Sequence, residues 1–227
     1  MGRSRYLRHP ERRQQLSSAD QRSRWKVGQV KEAELAALLV DAGLQWCAAD
    51  GADGTLPVAA AWLATSCRRE DGRRDETVRR DDPRLIGKAN DGWFRLVSDY
   101  GFLGDDREFL LGVNHADDDA VPILRWARVR LLGEWDIIGA GAATGVLGSA
   151  AGRPEFAMLS LDGNVILRGT TWQESIGSLV VPDPHRVKVI RDYVERRSGN
   201  PRTPAAERAE GKAWLRTHPP EQMPEQE

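Results

Sequence analysis

The sequence is poor in cysteine and has no long apolar run. Its two cysteines, Cys47 and Cys67, lie far apart, whereas a zinc site or a redox motif needs close pairs or added histidines. We therefore expect two buried thiols, no metal site and no cofactor. No segment approaches the roughly 20 apolar residues that span a bilayer, and the arginine-rich start lacks the apolar centre of a secretory signal. These absences predict a cytoplasmic protein with no membrane partner.

The length and the overall charge of the chain exclude few classes of protein or partner. A chain of 227 residues is long enough for a core that needs no disulfide or metal. Its hydrophobic fraction of 40% and charged fraction of 30% are close to those of an average globular protein. Because 33 lysines and arginines nearly balance 34 acidic residues, net charge indicates no class of partner.

The distribution of charge is more informative than its sum. Residues 1–31 contain only two acidic residues beside a set of basic ones, which are Arg3, Arg5, Arg8, Arg12, Arg13, Arg22, Arg24, Lys26 and Lys31. Such an arm can lie along a phosphate backbone, because each neutralised phosphate releases a condensed counterion. All of them except Lys31, together with Trp25, are candidate nucleic-acid-binding residues. The alternatives are a solvated leader, or an arm that Trp25 docks onto the domain.

Composition divides the chain into five parts and favours the α/β class. We expect a mixed sheet flanked by helices, preceded by a helical segment, with an α+β arrangement as the alternative. The parts are a basic, flexible arm (1–30), the helical segment (31–67), a charged linker or surface loop (68–84), an α/β domain (85–198) and a polar tail with a short helix (199–227).

Apolar spacing predicts two helices near the start. Apolar residues recur at three- and four-residue intervals from Leu35 to Ala42, which indicates a helix over 31–42 that ends at Gly43. A second apolar segment, Val58–Cys67, follows a proline that suits a first helical turn. The connection between them is far longer than the turn of a helix-turn-helix DNA reader, so this motif is not expected here.

The middle of the chain is ambiguous. Trp93–Val97 and Phe109–Val113 are typical of strands or short buried segments. The run Val121–Leu132 fits both periods, since its arginines alternate with apolar residues while other apolar positions match a helix. We favour a helix there, leading into a strand at Trp135–Ile138.

The C-terminal third is clearer. Phe156–Leu161 and Val165–Leu167 flank an Asp-Gly pair, which favours a tight hairpin turn. Ser178–Val181 supplies another strand. Asp183 then caps a helix with a proline in its first turn and an apolar stripe behind it.

Two local patterns offer candidate chemistry. The segment Gly139–Gly145 is similar to a phosphate-binding loop after a strand, although that fingerprint normally opens a longer βαβ unit. His115 with Asp117 and Asp119 supplies an imidazole and hard oxygen donors for a divalent cation. The alternative for these aspartates is stabilisation of a helix start by the helix dipole.

A third pattern carries a resemblance. Glu155, Ala157, Asp162 and the pair Gly169-Thr170 are spaced as the His, Lys, Asp and Gly-Ser residues are in the phospholipase D-like half-domain, where a strand and a helix follow. Residues 155–197 therefore resemble a degenerate copy of that half-domain. Such copies are similar to the C-terminal domains of some actinobacterial regulators.

The resemblance implies that the scaffold of the half-domain is kept while its phosphodiester cleavage is lost. Phosphodiester cleavage of that type needs an imidazole nucleophile and a cation for the phosphoryl oxygens, and neither Glu155 nor Ala157 supplies them. We therefore predict no catalytic residues and a regulatory or interaction protein that forms a homodimer and contacts nucleic acid, DNA above all, or a protein partner. The alternative is a small enzyme using a cation at His115, Asp117 and Asp119 or a nucleotide at Gly139–Gly145.

Overall fold

The computed structural model describes residues 32–48, 54–115 and 123–219, with the backbone alone for His115 and Ile123. The strands of this part are β1 (Leu44–Ala48), β2 (Arg74–Arg79), β3 (Glu108–His115), β4 (Ile123–Leu131), β5 (Gly148–Ala150), β6 (Arg153–Pro154), β7 (Phe156–Leu159), β8 (Val165–Thr171) and β9 (Ser175–Pro182).

The helices lie before, between and after these strands. They are α1 (Glu32–Asp41), α2 (Val58–Ala61), α3 (Leu85–Asp99), α4 (Lys188–Gly199) and α5 (Ala205–Thr217). Short 3₁₀ turns occupy Trp62–Ser66, Arg69–Asp71 and Pro184–Arg186. Within the described ranges, every helix is too short or too polar to cross a membrane.

Seven strands form one sheet in the order β1-β4-β3-β7-β8-β9-β2. Each neighbouring pair is antiparallel, so consecutive strands such as β7, β8 and β9 are joined by short hairpin connections. Strands β5 and β6 form a separate small ribbon. Helices lie on both faces of the large sheet, which confirms the α/β class with flanking helices. The expected mixture of parallel and antiparallel strands is not found in this sheet, since all six of its pairings are antiparallel.

The two faces of the sheet bury separate apolar cores. On one face, the core contains residues of α1 and α3, such as Trp93, together with Phe109 and Phe156. On the other face, the core contains residues of α2, α4 and α5, such as Ile190 and Trp214, together with Trp126 of the sheet. Because alternate residues of a strand point to opposite faces, strands covered on both sides are buried almost continuously, as β8 is from Val165 to Gly169.

Several expected elements are confirmed. The helix predicted for 31–42 is α1, and the predicted hairpin is β7 and β8 with Asp162 and Gly163 in its turn. The short helix expected in the polar tail (199–227) is α5. The helix expected after Asp183 begins later, at Lys188. The predicted cap is wrong, because Asp183 has a left-handed φ of 46°, makes no side-chain cap hydrogen bond and is followed first by the 3₁₀ turn Pro184–Arg186.

The middle of the chain needs two corrections. Val121–Leu132 was predicted as a helix, but its described part is strand β4. The period of two is the correct one, because Ala127 and Val129 are buried on one face, while Arg128 and Arg130 are exposed on the opposite face, which also carries the buried Trp126. Trp93–Val97 was predicted as a strand or buried segment and lies inside α3.

Three further predictions are wrong in local detail. Trp135–Ile138 is not a strand, because the chain turns there into a π-helical turn, Ile137–Gly141. The segment 68–84 is exposed as predicted, yet it contains edge strand β2, whose charged side chains hide the strand period. Cys67 is buried as expected, but Cys47 is exposed.

Candidate functional site

The whole predicted nucleic-acid interface lies outside the described residues, namely Arg3, Arg5, Arg8, Arg12, Arg13, Arg22, Arg24, Trp25 and Lys26 of the arm. Asp117 and Asp119 of the proposed cation site also lie outside them. Only the backbone of His115 is described. Within the described ranges, no three His, Cys, Asp or Glu side chains lie close enough together to hold a metal ion. The proposed cation site therefore gains no support from the described part.

The first N–H groups of the glycine-rich segment Gly139–Gly145 already donate hydrogen bonds within the protein. The backbone N–H groups of Gly139 and Ala140 donate to the two carboxylate oxygens of Asp136, both at 2.8 Å. The N–H of Ile138 donates to Oδ1 of Asn90 at 3.0 Å. A phosphate cradle needs free N–H donors, and here the chain itself supplies the acceptors.

The Asp136 carboxylate also sets the charge of this segment. Burial acts to raise its pKa, but the hydrogen bonds from Ala140, Asn90 and Gly139 outweigh burial and hold the pKa below its ordinary value. Asp136 is therefore an anion at neutral pH. A nucleotide phosphate would meet a negative charge where the fingerprint requires bare N–H groups.

The residues of the phospholipase D-like spacing do not gather in a cleft. Glu155 is exposed immediately before β7, whereas Ala157 within β7 is completely buried. Asp162 lies past the other end of β7, where it accepts hydrogen bonds from Ser160 Oγ at 2.5 Å and Asn164 Nδ2 at 2.9 Å. The space beside Gly169 is filled by the Phe156 ring.

A charged cluster lies where β1, β4 and β3 are adjacent. Glu108 is only 5% exposed and accepts hydrogen bonds from Nε of Arg128 and Nη2 of Arg130, each at 2.6 Å. The Arg130 hydrogen bond is the main cause of a lowered Glu108 pKa. Although Cys47 is exposed as a residue, its Sγ lies 3.8 Å from Glu108 Oε1 in a partly buried contact. The partial burial of the thiol, and then the charge of Glu108, raise its pKa. Cys47 is therefore not an activated nucleophile.

Arg168, in the centre of the sheet, is the most unusual charged residue of the described part. It lies on β8 and is only 3% exposed. Its Nη1 donates to the backbone carbonyl of Phe156, and its Cζ lies 3.6 Å from the centroid of the Trp62 ring. Its Nε is buried and has no hydrogen-bond partner. Buried arginines are normally paired, so this one is a candidate recognition residue.

Trp62 covers the guanidinium from the 3₁₀ turn Trp62–Ser66. The end of that turn is fixed by Arg73, whose Nη1 donates to the carbonyls of Thr65 at 2.8 Å and Cys67 at 3.1 Å. The indole Nε1 of Trp62 is also buried without a hydrogen-bond partner. The stacked pair therefore contains two N–H donors that lack acceptors.

Burial lowers the pKa of Arg168 to about 10, and the charge of Glu155 opposes that effect. The guanidinium consequently remains a cation at neutral pH. It forms no ion pair with an acidic residue of the described ranges. Arg168 could not be recognised from the sequence. It directly follows the apolar run Val165–Leu167, and the side chain that covers it, Trp62, lies more than a hundred positions earlier in the chain.

No protein-family model, curated protein or solved structure matches the chain.

Proposed function

We propose that the protein is a non-catalytic, cytoplasmic regulatory or interaction protein that binds nucleic acid through its basic N-terminal arm. The observation that carries this proposal is the segregation of charge. Residues 1–31 contain nine of the 33 basic residues and two of the 34 acidic ones, which leaves 24 basic and 32 acidic residues for 32–227. Nine closely spaced cations favour a polyanion, while the remainder of the chain repels one.

The folded part is better suited to a scaffold than to phosphoryl chemistry. Asp136 and Asn90 satisfy the N–H groups that a nucleotide would use. Ala157 stands at the lysine position of the phospholipase D-like spacing and is completely buried in the core. Both observations support an interaction role for the sheet and its helices, in agreement with the module that the resemblance implies.

Self-association belongs to the same proposal. A homodimer would present two arms to one nucleic acid, and the second arm would bind at a high effective concentration. Sedimentation equilibrium of the full chain tests this point: a dimer mass is expected, and a monomer mass at all concentrations would contradict it.

Salt-dependent binding tests the function itself. The variant Arg22→Gln, Arg24→Gln, Lys26→Gln removes three arm charges around Trp25. A control with Arg202→Gln, Lys212→Gln, Arg216→Gln removes three charges from exposed positions of the folded part. Fluorescence anisotropy with labelled duplex DNA and single-stranded RNA would then give the affinity at several salt concentrations.

The arm variant should bind more weakly and lose salt dependence. Each phosphate contact contributes about −0.9 to the slope of log K against log salt for duplex DNA, so three lost contacts should reduce the slope by about 2 to 3. The control should match the unmodified protein. Equal affinities and slopes for all three proteins would refute the proposal.

A further inference from the structure

The pair formed by Arg168 and Trp62 leaves polar groups unsatisfied in the interior. Arg168 Nε and Trp62 Nε1 are both buried, and neither has an acceptor. They belong to one stack, with the guanidinium carbon 3.6 Å from the centroid of the ring. A buried donor without an acceptor loses its bonds to water and gains nothing in return. Two such donors in one stack indicate a missing acceptor.

No acidic side chain of the described part forms an ion pair with Arg168, and Glu155 acts on its charge only through space. On the sheet, Arg168 lies opposite Ala157 of β7 and Leu179 of β9, which are both apolar and buried. Its polar contacts in the described part are one backbone carbonyl and the face of the indole. Neither carries a full negative charge, and a buried cation is costly unless it is paired.

We propose that Arg168 is the recognition residue of a binding site for a small oxyanion, a carboxylate or a phosphate, which Trp62 covers. The oxyanion accepts hydrogen bonds from the free Nε edge of the guanidinium and from the indole N–H. It supplies the acceptors that the pair lacks and a negative charge in direct contact with the guanidinium. Planar guanidinium groups suit this ligand, because their N–H donors match two oxygens of one anion.

Trp62 is the part that moves to admit the ligand. Its indole stacks on Arg168 and packs against the apolar core of that face, but its N–H has no acceptor. Turning the side chain therefore breaks no hydrogen bond. The backbone of the 3₁₀ turn stays in place, because Arg73 fixes its end through Thr65 and Cys67. Binding is thus expected to change the environment of one indole without unfolding the turn.

Thermal melting of the full chain tests the site. The midpoint is measured at neutral pH in increasing sodium phosphate or sodium acetate, with sodium chloride at matched ionic strength as reference. A ligand that binds only the folded state must raise the midpoint. We expect a rise with phosphate, acetate or both that is absent in chloride, is abolished by Arg168→Met and is retained by Arg153→Met, which changes an exposed arginine. The responding anion identifies the ligand class.

Nuclear magnetic resonance covers the case in which Arg168→Met does not fold. In the unmodified protein, the arginine Nε–H and indole N–H signals are followed during the same titrations, and Trp62→Phe identifies the indole signal of Trp62. Saturable shifts of the Arg168 and Trp62 signals are expected. The absence of shifts and of any midpoint rise would overturn the site, as would an equal rise in Arg168→Met.

The arm variant separates this site from nucleic-acid binding. Arg22→Gln, Arg24→Gln, Lys26→Gln should keep the full response to the small anion, because Arg168 and Trp62 are unchanged. Loss of that response in the arm variant would mean that the anion acts at the arm, and would overturn the assignment to Arg168.

Discussion

The side-chain amide of Asn90 donates a hydrogen bond to the carboxylate of Asp136, with 2.7 Å between Nδ2 and Oδ1. Asn90 belongs to α3, and its own Oδ1 accepts from the N–H of Ile138. The two side chains therefore tie a helix to the π-helical turn Ile137–Gly141 and satisfy that turn from within. A motif that is similar to a phosphate loop in sequence is here a capped structural turn.

Replacing Asp136 should destabilise this turn. Asp136→Asn keeps the size of the side chain but puts an amide NH₂ where an acceptor is needed, so one of the N–H groups of Gly139 and Ala140 loses its partner. We expect the free energy of unfolding to fall by about 2 kcal/mol. Urea denaturation measures it, with the exposed Asp91→Asn on α3 as the matched control. Equal midpoints for both variants would contradict this role.

The pH dependence of stability should depend on Glu108. Its pKa is lowered in the folded protein, chiefly by the hydrogen bond from Arg130. A carboxyl group with a lowered folded pKa contributes stability above its unfolded pKa, and that contribution is lost as pH falls through the folded value. The unmodified protein should therefore lose stability on acidification below the ordinary glutamate pKa of 4.5.

Glu108→Gln should weaken that pH dependence. The variant should be less stable than the unmodified protein at neutral pH, because Arg128 and Arg130 lose their charged acceptor. Its stability should also fall less steeply from about pH 5 to about pH 3. Urea titrations across this range measure both effects. Glu174→Gln, at an exposed position, is the control, and parallel curves for Glu108→Gln and the unmodified protein would reject the argument.

The close approach of β2 and β9 gives a third prediction. A Cβ atom at Gly177 would lie 2.0 Å from the carbonyl oxygen of Glu76, so Gly177→Ala forces the two backbones apart. Overpacking of this kind costs about 1 to 3 kcal/mol. Gly87→Ala is the control, since nothing lies within 4 Å of its added Cβ and alanine favours a helix over glycine by about 1 kcal/mol. Chemical denaturation should show opposite signs, and a neutral Gly177→Ala would mean that β2 is not paired as described.

Sequence patterns recovered elements whose burial is one-sided or whose turns have their own chemistry. Helix α1 has one apolar face, and the β7–β8 hairpin has an Asp-Gly turn. Strand β4 was misassigned, because its two faces contact different cores and its apolar positions match both periods. Strand β2 was missed because an edge strand in contact with water can carry charges along its whole length.

The candidate site was less accessible from sequence. An arginine after three apolar residues does not indicate a buried binding residue unless the element that packs over it is known. Here that element is the 3₁₀ turn of Trp62, which is distant in sequence and contacts Arg168 only in the folded protein. The role of Asp136 was missed for a related reason. The glycines indicate free N–H groups, but their acceptors come from the nearby Asp136 and from Asn90 of α3. Both features depend on tertiary contacts.

Helix α5 gives the last prediction, because it combines a polar sequence with a deeply buried anchor. Trp214 is 1% exposed and packs in the same core as α4. Arg197 of α4 donates to both carboxylate oxygens of Glu207 at 2.9 and 2.8 Å. A Cβ at Gly211 would lie 2.2 Å from Ser198 Oγ, so the helices are in close contact.

Trp214→Ala should therefore destabilise the whole fold rather than release a tail. Loss of a buried tryptophan costs about 3 to 5 kcal/mol, and the empty space would open beside the core that contains Ile190 and Val194. We expect one cooperative transition with a much lower midpoint in both circular dichroism and tryptophan fluorescence. Lys212→Ala, exposed on the same helix, should change little. An unchanged midpoint for Trp214→Ala would show that α5 contributes nothing to the core, because a helix that stabilises the fold cannot lose its largest buried side chain without a cost.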